Sequence, residues 1–306
     1  HPVPHKPAPW TTKCESYWLM LYMPAKLPES IYDPLEASAP GFADAKLAGE
    51  FRGGLGMIMV VRYLDTPTGP YDELLIIPGA FSVPGKPAKT TLKRISRIYV
   101  SQRDTCYNGR LNWNIPKHLA RFVFSSPSSS NPQSLTISVY PPDSTGSMPF
   151  FSATLTPFRW IPAIPFSTRY LPISTTLAQP PLPAAPATSA VHSPLSNNPK
   201  PRDPYMFDRD EAELLVGTER WCTMPIHAYS PKARGCWVEV HGPGFLPEPE
   251  DGEREEENPE SASKPTKEKA VAEAKKWWPV DVKPLRIGLW MENADITIPA
   301  PSEWKL

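Results

Sequence analysis

Proline occupies 42 of the 306 positions of this chain, and it constrains the fold more than any other feature of the sequence. A proline inside a helix removes a hydrogen bond and costs about 3 kcal/mol, so long helices and coiled coils are excluded. The chain also carries 10 Trp, 11 Tyr and 11 Phe, whereas disordered chains are poor in aromatic residues. The prolines therefore indicate a globular protein built from short elements and many loops.

The charges balance, and no segment is long and apolar enough to span a membrane. The 32 Lys and Arg residues match 32 Asp and Glu residues, so the basic excess that is typical of nucleic-acid-binding proteins is missing. The sequence also lacks a run of about 18 apolar residues, the length that a membrane-spanning helix needs. These patterns predict a protein that binds neither nucleic acid nor a membrane.

Four widely spaced cysteines predict a reduced protein. They are Cys14, Cys106, Cys222 and Cys236, which form no C-x-x-C pair and no Cys/His pattern at zinc-ligand spacing. No N-x-S/T acceptor for glycans occurs either, so we expect a cytoplasmic location and no bound metal. The sequence starts at His1 rather than at a methionine, so upstream residues are expected to have been removed.

Short apolar runs separated by turn signals predict the strands of an antiparallel sheet or barrel. A run without Gly or Pro, such as SYWLMLYM at 16–23, is typical of a strand that is buried on both faces. Turn signals such as DTPTGP at 65–70 separate the runs. The predicted strands are 16–23, 55–63, 73–77, 97–100, 120–124, 135–140, 150–155, 235–241, 285–291 and 294–298.

The remaining segments predict an arm, two insertions and one helix. Residues 1–9 are rich in proline and indicate a loose N-terminal arm, so 10–306 is predicted to be a single domain. Within this domain we expect a proline-rich insertion at 180–204 and a charged, solvated insertion at 243–267. The segment TKEKAVAEAKKWW at 266–278 is rich in Ala, Lys and Glu and predicts a helix.

The segment DTCYNGRLNWNIPKHLAR at 104–121 carries the strongest sign of chemistry. Asn108 and Gly109 predict a turn, and Pro116 fixes the backbone before Lys117, which stands among apolar residues. Burial in such surroundings lowers the pKa of a lysine, and the neutral amine is a nucleophile for ketones. His118 would lower this pKa further or would move protons. The alternative is that Lys117 reaches out to solvent, as lysines near strand ends usually do.

The pattern G-R-x5-P-K-x-L at 109–119 resembles the signature around the Schiff-base lysine of the acetoacetate decarboxylase family. Two weaker matches fall in the same order, because GPYDE at 69–73 resembles the family's glutamate segment and ADITIP at 294–299 resembles its closing strand. The resemblance covers about 14–299 and looks like that of a long, fungal-type member. It implies an α+β, mostly β fold, with an antiparallel barrel-like sheet around an apolar cavity and a few peripheral helices.

The resemblance also implies a reaction, for which the family is the standard example of an activated lysine nucleophile. Lys117 would attack the ketone of a β-keto acid and form an imine, whose protonated nitrogen takes up the electrons released when carbon dioxide leaves. Glu73 would be the acid/base or orienting carboxylate, and His118 replaces the second lysine of the usual pair. No cofactor is implied. The resemblance also implies three supporting residues, which are Arg110, Trp113 and Tyr71. Of these, Arg110 would be an ion-pair partner behind the lysine.

Departures from the family pattern predict a substrate other than acetoacetate. The family's arginine near the N-terminus has no counterpart at 18–26, where Met23 and Pro24 stand, and a second family glutamate falls in the apolar run 57–61. A larger and more apolar keto compound fits the aromatic content better. The expected partner is therefore a small-molecule keto acid or ketone, and assembly into a homo-oligomer is an open expectation, because family members oligomerise.

Other interpretations stay open. A protein with the same fold could catalyse an aldolase-like or dehydratase-like reaction of a larger keto compound through an imine. It could also bind a hydrophobic ligand without catalysis. His1 could chelate copper together with a second histidine, although no motif among the other histidines selects one. A serine hydrolase is not supported, because no G-x-S-x-G occurs. The glycine-rich GGLG at 53–56 precedes a predicted strand, so it is not a phosphate-binding loop.

Overall fold

Strands make up most of the fold. The computed structural model describes residues 1–126, 134–142, 148–186, 211–241 and, apart from 273, 275 and 280, 272–306. Most of the predicted proline-rich insertion (187–204), all of the predicted charged insertion (243–267) and the start of the predicted helix (266–271) lie outside these residues. Residues 272, 274, 276 and 277, near the end of that predicted helix, are helical.

The described residues form sixteen strands, four short helices and two single-turn 3-10 helices. The strands are β1 (Trp10–Met23), β2 (Phe51–Asp65), β3 (Tyr71–Ile77), β4 (Ala80–Ser82), β5 (Thr91–Lys93), β6 (Arg97–Val100), β7 (Lys117–Leu119), β8 (Arg121–Ser125), β9 (Leu135–Tyr140), β10 (Phe151–Pro157), β11 (Ile164–Ser167), β12 (Thr176–Gln179), β13 (Trp221–Pro225), β14 (His227–His241), β15 (Ile287–Ile298) and β16 (Ser302–Trp304). The helices are α1 (Pro34–Ala37), α2 (Pro40–Ala43), α3 (Ala45–Ala48) and α4 (Arg103–Trp113), and the 3-10 turns are Thr168–Tyr170 and Glu211–Glu213. None of the helices in the described ranges is long and apolar enough to cross a membrane.

Hydrogen bonds connect the strands into one sheet, which is antiparallel except at two pairs. The main path runs β16-β13-β12-β5-β4-β2-β1-β15-β14-β10-β9-β8, while β3 pairs with β2 and β6, and β7 pairs with β6. The parallel pairs are β6 with β7 and β5 with β12. The predicted α+β, mostly β class is therefore confirmed. The sheet surrounds an apolar cavity, but its pairing does not close into a complete barrel within the described ranges.

Side-chain alternation gives the sheet two apolar faces. Along β2, Met57 and Met59 belong to the core cluster around the cavity, whereas Ile58 and Val60 belong to a second cluster on the opposite face. The second cluster also includes Trp278, which is 1% exposed. A strand with both faces buried has no polar positions, which explains the continuous apolar runs of the sequence.

Helix α4 replaces the turn predicted at 108–109. It begins after Gln102, whose side-chain oxygen accepts a hydrogen bond from the N–H of Thr105, and it ends at Asn114 in the left-handed conformation, with a φ of 53°. Pro116 then prevents the helix from continuing. The turn prediction was wrong because the glycine serves a close packing contact inside the helix, described below, rather than a turn.

Two other segments differ from the sequence-based predictions. Residues 1–9 lie against α4 rather than forming a loose arm, because the backbone N–H of Lys6 donates to the side chain of Asn108 at 2.7 Å and the ring of His1 stacks on Tyr107. The strands predicted at 285–291 and 294–298 are one strand, β15, with an irregular register beside Asn293, whose φ is 51°.

Candidate active site

An apolar cavity of about 400 Å³ lies between the strands and is lined by side chains of the first core cluster. At its closed end stand Glu73 and Lys117, which are no more than 4% exposed. At the other end stand Leu55, Ile173 and Ile287, which also line the cavity but are at least 38% exposed. The cavity therefore runs from a buried polar end to an apolar mouth.

Lys117 enters the closed end from β7. This strand lies parallel to β6, with Lys117 opposite Ile98, and the next residues of β7 continue the sheet. The stem of the lysine crosses α4 at Gly109, where an added Cβ would lie 2.6 Å from Cδ of Lys117. Because any larger residue would occupy this space, the glycine of the G-R-x5-P-K-x-L pattern makes room for the lysine of the same pattern.

The Nζ atom of Lys117 contacts three polar side chains. It forms an ion pair with Glu73, at 2.9 Å from Oε2, and it donates hydrogen bonds to Oγ1 of Thr105 at 2.9 Å and to the hydroxyl of Tyr71 at 3.4 Å. The side chains of both charged residues are no more than 5% exposed. Lys117 therefore does not reach out to solvent.

The charge state of Lys117 differs from the prediction. Burial lowers the pKa of Lys117, as expected, but the charge of Glu73 and the hydrogen bonds to Glu73 and Tyr71 outweigh burial and raise the pKa above the ordinary 10.5. The predicted lowering was wrong because a carboxylate in direct contact stabilises the ammonium more than burial destabilises it. In the unliganded site the lysine is held as an ammonium.

Two tyrosines complete the polar end of the cavity. The hydroxyl of Tyr63 donates a long hydrogen bond, 3.5 Å, to Oε1 of Glu73, and the rings of Tyr63 and Tyr71 lie 4.5 Å apart. Burial raises the pKa of Tyr71 to about 12, although the charge of Lys117 opposes this. Burial also raises the pKa of Tyr63, so both hydroxyls are neutral at neutral pH.

His118 does not act on Lys117 as predicted. Successive residues of a strand point to opposite faces, and His118 lies against Glu36, with Nε2 at 2.8 Å from Oε2 and at 3.7 Å from Asp33. Burial lowers the pKa of His118, but the charges of Glu36 and Asp33 raise it more, so it lies above 6.5. His118 is a buried ion-pair partner on the far side of β7 and has no contact with the lysine ammonium.

Arg110 belongs to the same buried cluster. Its Nη1 lies 2.8 Å from Oε1 of Glu36, with both side chains fully buried, and it also approaches the carbonyl of Lys117 at 3.4 Å. Burial raises the pKa of Glu36, but the charges of His118 and Arg110 lower it more, to below 4.5. The cluster therefore fixes the backbone of β7 from behind, which is where the resemblance implied an ion-pair partner.

The cluster is an ion-pair network rather than a metal site. Asp33, Glu36 and His118 bring potential ligand atoms within 4.8 Å of one another. Both oxygens of Glu36, however, are already bonded to Arg110 and His118. A cation in this position would also lie close to the guanidinium of Arg110, so the donor set does not suit a metal ion.

Trp113, the remaining predicted residue, lies at the end of α4 and lines the cavity. Its ring N–H donates to the carbonyl of Pro299 at 2.8 Å, and its ring meets that of Trp10 edge to face at 5.1 Å. The structure thus places Lys117, Glu73, Tyr71 and Trp113 around one cavity. His118 and Arg110 lie behind it.

The two family positions that the sequence lacks are apolar in the structure. In the segment 18–26, where the family's arginine was expected, Trp18 and Met20 of β1 line the cavity, and Met57 and Met59 of β2 line it on the neighbouring strand. Lys93 and Lys117 are the two cations that line the cavity in the described part of the chain. Among the described residues, the closed end therefore has no cation besides Lys117 to meet a substrate carboxylate.

Several residues of the site had no sequence-based prediction. Thr105 contacts the lysine from α4, Tyr63 contacts Glu73 from β2, and Glu36 anchors the cluster behind β7. Tyr63 had a local signal, because it pairs with Tyr71 across the predicted turn at 65–70. Thr105 and Glu36 had none, because their partners are distant in sequence.

The copper-chelation alternative for His1 does not suit its contacts. The Nδ1 atom of His1 accepts a hydrogen bond from the N–H of Val3 at 3.1 Å, and Nε2 lies 2.9 Å from the carbonyl of Glu213. Both ring nitrogens are thus engaged with backbone. The group of metal-ligating side chains found in the described residues does not include His1.

Of the comparisons with known proteins, only those with solved structures bear on the fold. No protein-family model matches the chain. The rice protein NEOXANTHIN-DEFICIENT 1 (Oryza sativa subsp. japonica) is 32% identical to this chain over 79 residues. The match covers 26% of this chain and 25% of the rice protein's length. A solved acetoacetate decarboxylase superposes with a TM-score of 0.52 and 13% identity, covering 99% of this chain and 91% of that one.

A second solved structure is an acetoacetate decarboxylase-like enzyme from Sphingomonas wittichii RW1. It superposes with a TM-score of 0.50 and 13% identity, covering 98% of this chain and 94% of that one. At such low identity the likeness concerns architecture and not the reaction, since one fold hosts many activities. The chain has the acetoacetate decarboxylase-like fold.

Proposed function

We propose that this protein is a lyase in which Lys117 forms an imine with the carbonyl group of an apolar keto compound. The observation that carries the proposal is the position of the Lys117 ammonium, at the closed end of an apolar cavity and 2.9 Å from the carboxylate of Glu73. A lysine so placed can meet a carbonyl group while a neighbouring carboxylate receives or returns its proton.

Substrate binding would release the neutral amine. An apolar ligand that fills the cavity excludes water and makes both charges of the Lys117–Glu73 pair more costly. Transfer of the proton from Nζ to Glu73 then leaves a neutral amine beside a carboxylic acid. The amine attacks the carbonyl carbon, and one of its two protons passes to the oxygen of the carbinolamine. Glu73 returns its proton to the same oxygen, which leaves as water. The product of this step is a protonated imine on Lys117.

The imine would serve the decarboxylation of a β-keto acid. The bond between the α-carbon and the carboxylate breaks, its electron pair moves toward the imine nitrogen, and carbon dioxide leaves. The resulting enamine takes a proton at carbon from Tyr71, which regains a proton from water. A second water molecule then hydrolyses the imine to release the ketone. The apolar walls at Met57 and Met59 solvate a carboxylate poorly, which favours its loss.

A second candidate is a different imine reaction, either retro-aldol cleavage or dehydration. The observation in its favour is that the closed end, as far as it is described, has no cation besides Lys117 to hold a substrate carboxylate. Neither alternative needs such a cation. A third candidate is binding without catalysis, and it is favoured by the raised pKa of Lys117, which keeps the free protein in its non-nucleophilic form.

Reductive trapping tests the proposal. The protein is incubated with a panel of apolar β-keto acids and ketones and then treated with borohydride, and the peptide that contains Lys117 is examined by mass spectrometry. We expect an adduct on Lys117, release of carbon dioxide from the β-keto acids, and loss of both in Lys117→Ala. Absence of an adduct with every compound would refute imine chemistry. An adduct without carbon dioxide would refute decarboxylation in favour of the second candidate.

A further inference from the structure

Lys93 is the second cation of the cavity, and it lies at the mouth. It stands on β5, is half-buried, and donates a hydrogen bond from Nζ to the backbone carbonyl of Leu55, a residue of the mouth. Burial lowers the pKa of Lys93, and no carboxylate among the described residues raises it in return. Lys93 is therefore a partly desolvated ammonium whose charge is not balanced, unlike that of Lys117.

The two cations stand at opposite ends of the cavity. Val61 pairs with Glu73 at the closed end, and Leu55 lies six residues before it on the same strand, where it contacts Lys93. At about 3.3 Å per residue, six residues of strand span about 20 Å. The wall between them is apolar and includes Met57 and Met59.

We propose that Lys93 binds an anionic group at the distal end of an elongated ligand whose keto group reaches Lys117. The ligand class is a long, mostly apolar chain with a carbonyl at one end and a carboxylate or phosphate at the other. The distal anion is separate from any carboxylate that is lost at the closed end, because Leu55 and Val61, the strand positions beside the two ends, lie about 20 Å apart along β2. The assignment of the keto end rests on the proposed imine function, whereas the anion site does not.

The positive charge of Lys93 and the apolar wall of the cavity together favour this class of ligand. An anion at Lys93 restores the interactions that the half-buried ammonium has lost, and Nζ keeps two hydrogens that are not used by Leu55. The chain between the two ends replaces water along the apolar wall. A short keto acid cannot contact Lys93 and fill the apolar part of the cavity at the same time. The affinity of a ligand should therefore depend on its chain length and its distal charge together.

The test uses a matched pair of probes. One is a tetradecanoic acid that carries a methyl ketone at its far end, and the other is its uncharged methyl ester. Binding is followed by the fluorescence of the tryptophans that line the cavity. We expect the native protein to bind the acid about tenfold more tightly than the ester, a contribution typical of a hydrogen bond to a charged group. The hexanoic-acid homologue should lose this preference, since it cannot span the cavity.

Variants assign the preference to one side chain. Lys93→Met should abolish the preference for the acid and leave the affinity for the ester unchanged, while Lys93→Arg should keep the preference. Lys89→Met, which changes an exposed lysine between β4 and β5, is the matched control and should behave like the native protein. Equal binding of acid and ester by the native protein, or a preference that survives Lys93→Met, would overturn the proposal.

The same samples separate this proposal from the imine function. If the preference depends on Lys93 but borohydride traps no adduct at Lys117, the anion site stands and the imine function fails. If both probes form the adduct and bind equally well, the imine function stands and the anion site fails.

Discussion

Gly109 of α4 lies directly against the side chain of Lys117, so that a Cβ at position 109 would come within 2.6 Å of Cδ and 2.7 Å of Cε. The contact joins the helix to the strand that carries the lysine. It also sets the direction in which the lysine stem leaves β7, and thereby the position of Nζ beside Glu73.

Gly109→Ala should impair the site without unfolding the protein. Alanine is favoured over glycine in a helix by about 1 kcal/mol, and the obstructing atoms belong to a flexible stem that can move aside. The displaced ammonium would leave Glu73, so we expect the yield of the borohydride adduct at Lys117 to fall at least about tenfold. The protein should stay folded, although its thermal midpoint should fall, because the displaced ammonium leaves Glu73 buried without its partner. Gly41→Ala, on α2, is the control and should retain adduct formation; a normal adduct yield in Gly109→Ala would contradict the prediction.

Glu73→Gln should make Lys117 more nucleophilic at neutral pH. Burial lowers the pKa of Lys117 and Glu73 is the main opposing influence, so without the carboxylate the pKa should fall below that of the native protein. Acetylation of Lys117 by acetic anhydride between pH 7 and 9, measured by mass spectrometry, should therefore be faster in the variant. Exposed Lys89 serves as an internal standard. Turnover in the proposed reaction should nevertheless fall, because Glu73 is its proposed acid/base group. Unchanged acetylation would show that Glu73 does not keep Lys117 protonated.

Glu36→Gln should destabilise the fold strongly. It removes the carboxylate that lies between Arg110, which is fully buried, and His118, which is largely buried. Buried charges that lose their partner typically cost about 3–5 kcal/mol. The urea midpoint should fall accordingly. Glu219→Gln is the control, since Glu219 pairs with Lys305 at the surface, and its midpoint should stay at the native value. A native-like midpoint for Glu36→Gln would show that the buried network contributes little.

His118→Gln should destabilise the protein more at mildly acidic pH than at alkaline pH. The charges that face His118 are Glu36 and Asp33, which raise its pKa above 6.5, and Arg110, which opposes them. A histidine with a raised pKa contributes its full stability below about pH 6.5 and loses that contribution as the pH rises through its folded-state pKa. Urea midpoints of the two proteins should therefore differ most near pH 6 and converge toward pH 9. A gap that widens with pH would contradict this.

Much of the sheet could be predicted, because alternation and turn signals are local. The strands at 97–100 and 135–140 match the prediction residue for residue, and most other predicted strands differ only at their ends. Strands without a predicted counterpart are β4, β5, β7, β11, β12, β13 and β16. The helix α4 could not be predicted, since Asn-Gly in its middle is a turn signal that a tertiary contact overrides. Local sequence patterns indicate which secondary structure a segment prefers, but tertiary packing determines whether the segment adopts it.

Sequence motifs pointed to Lys117 and Glu73 one by one, but they could not predict the strand pairing that brings the two side chains together. Glu73 and Lys117 come together because β3 and β7 both pair with β6, opposite Val100 and Ile98. The contribution of His118 was misjudged because alternation along β7 turns it away from the lysine. Glu36 lies in a proline-rich stretch with no pattern of its own, and only its partners on other elements reveal its role.

The two faces of β2 would place two different constraints on one short stretch of sequence if the cavity binds a ligand as proposed. Substitutions at 57 and 59 would then change which ligand fits, while substitutions at 58 and 60 would affect whether the protein folds. Because positions 57 and 59 alternate with positions 58 and 60, conservative apolar substitutions at 57 and 59 could change the ligand without disturbing the second core cluster. Comparisons of related sequences should then show the odd positions diverging between specificities while the even positions hold their volume.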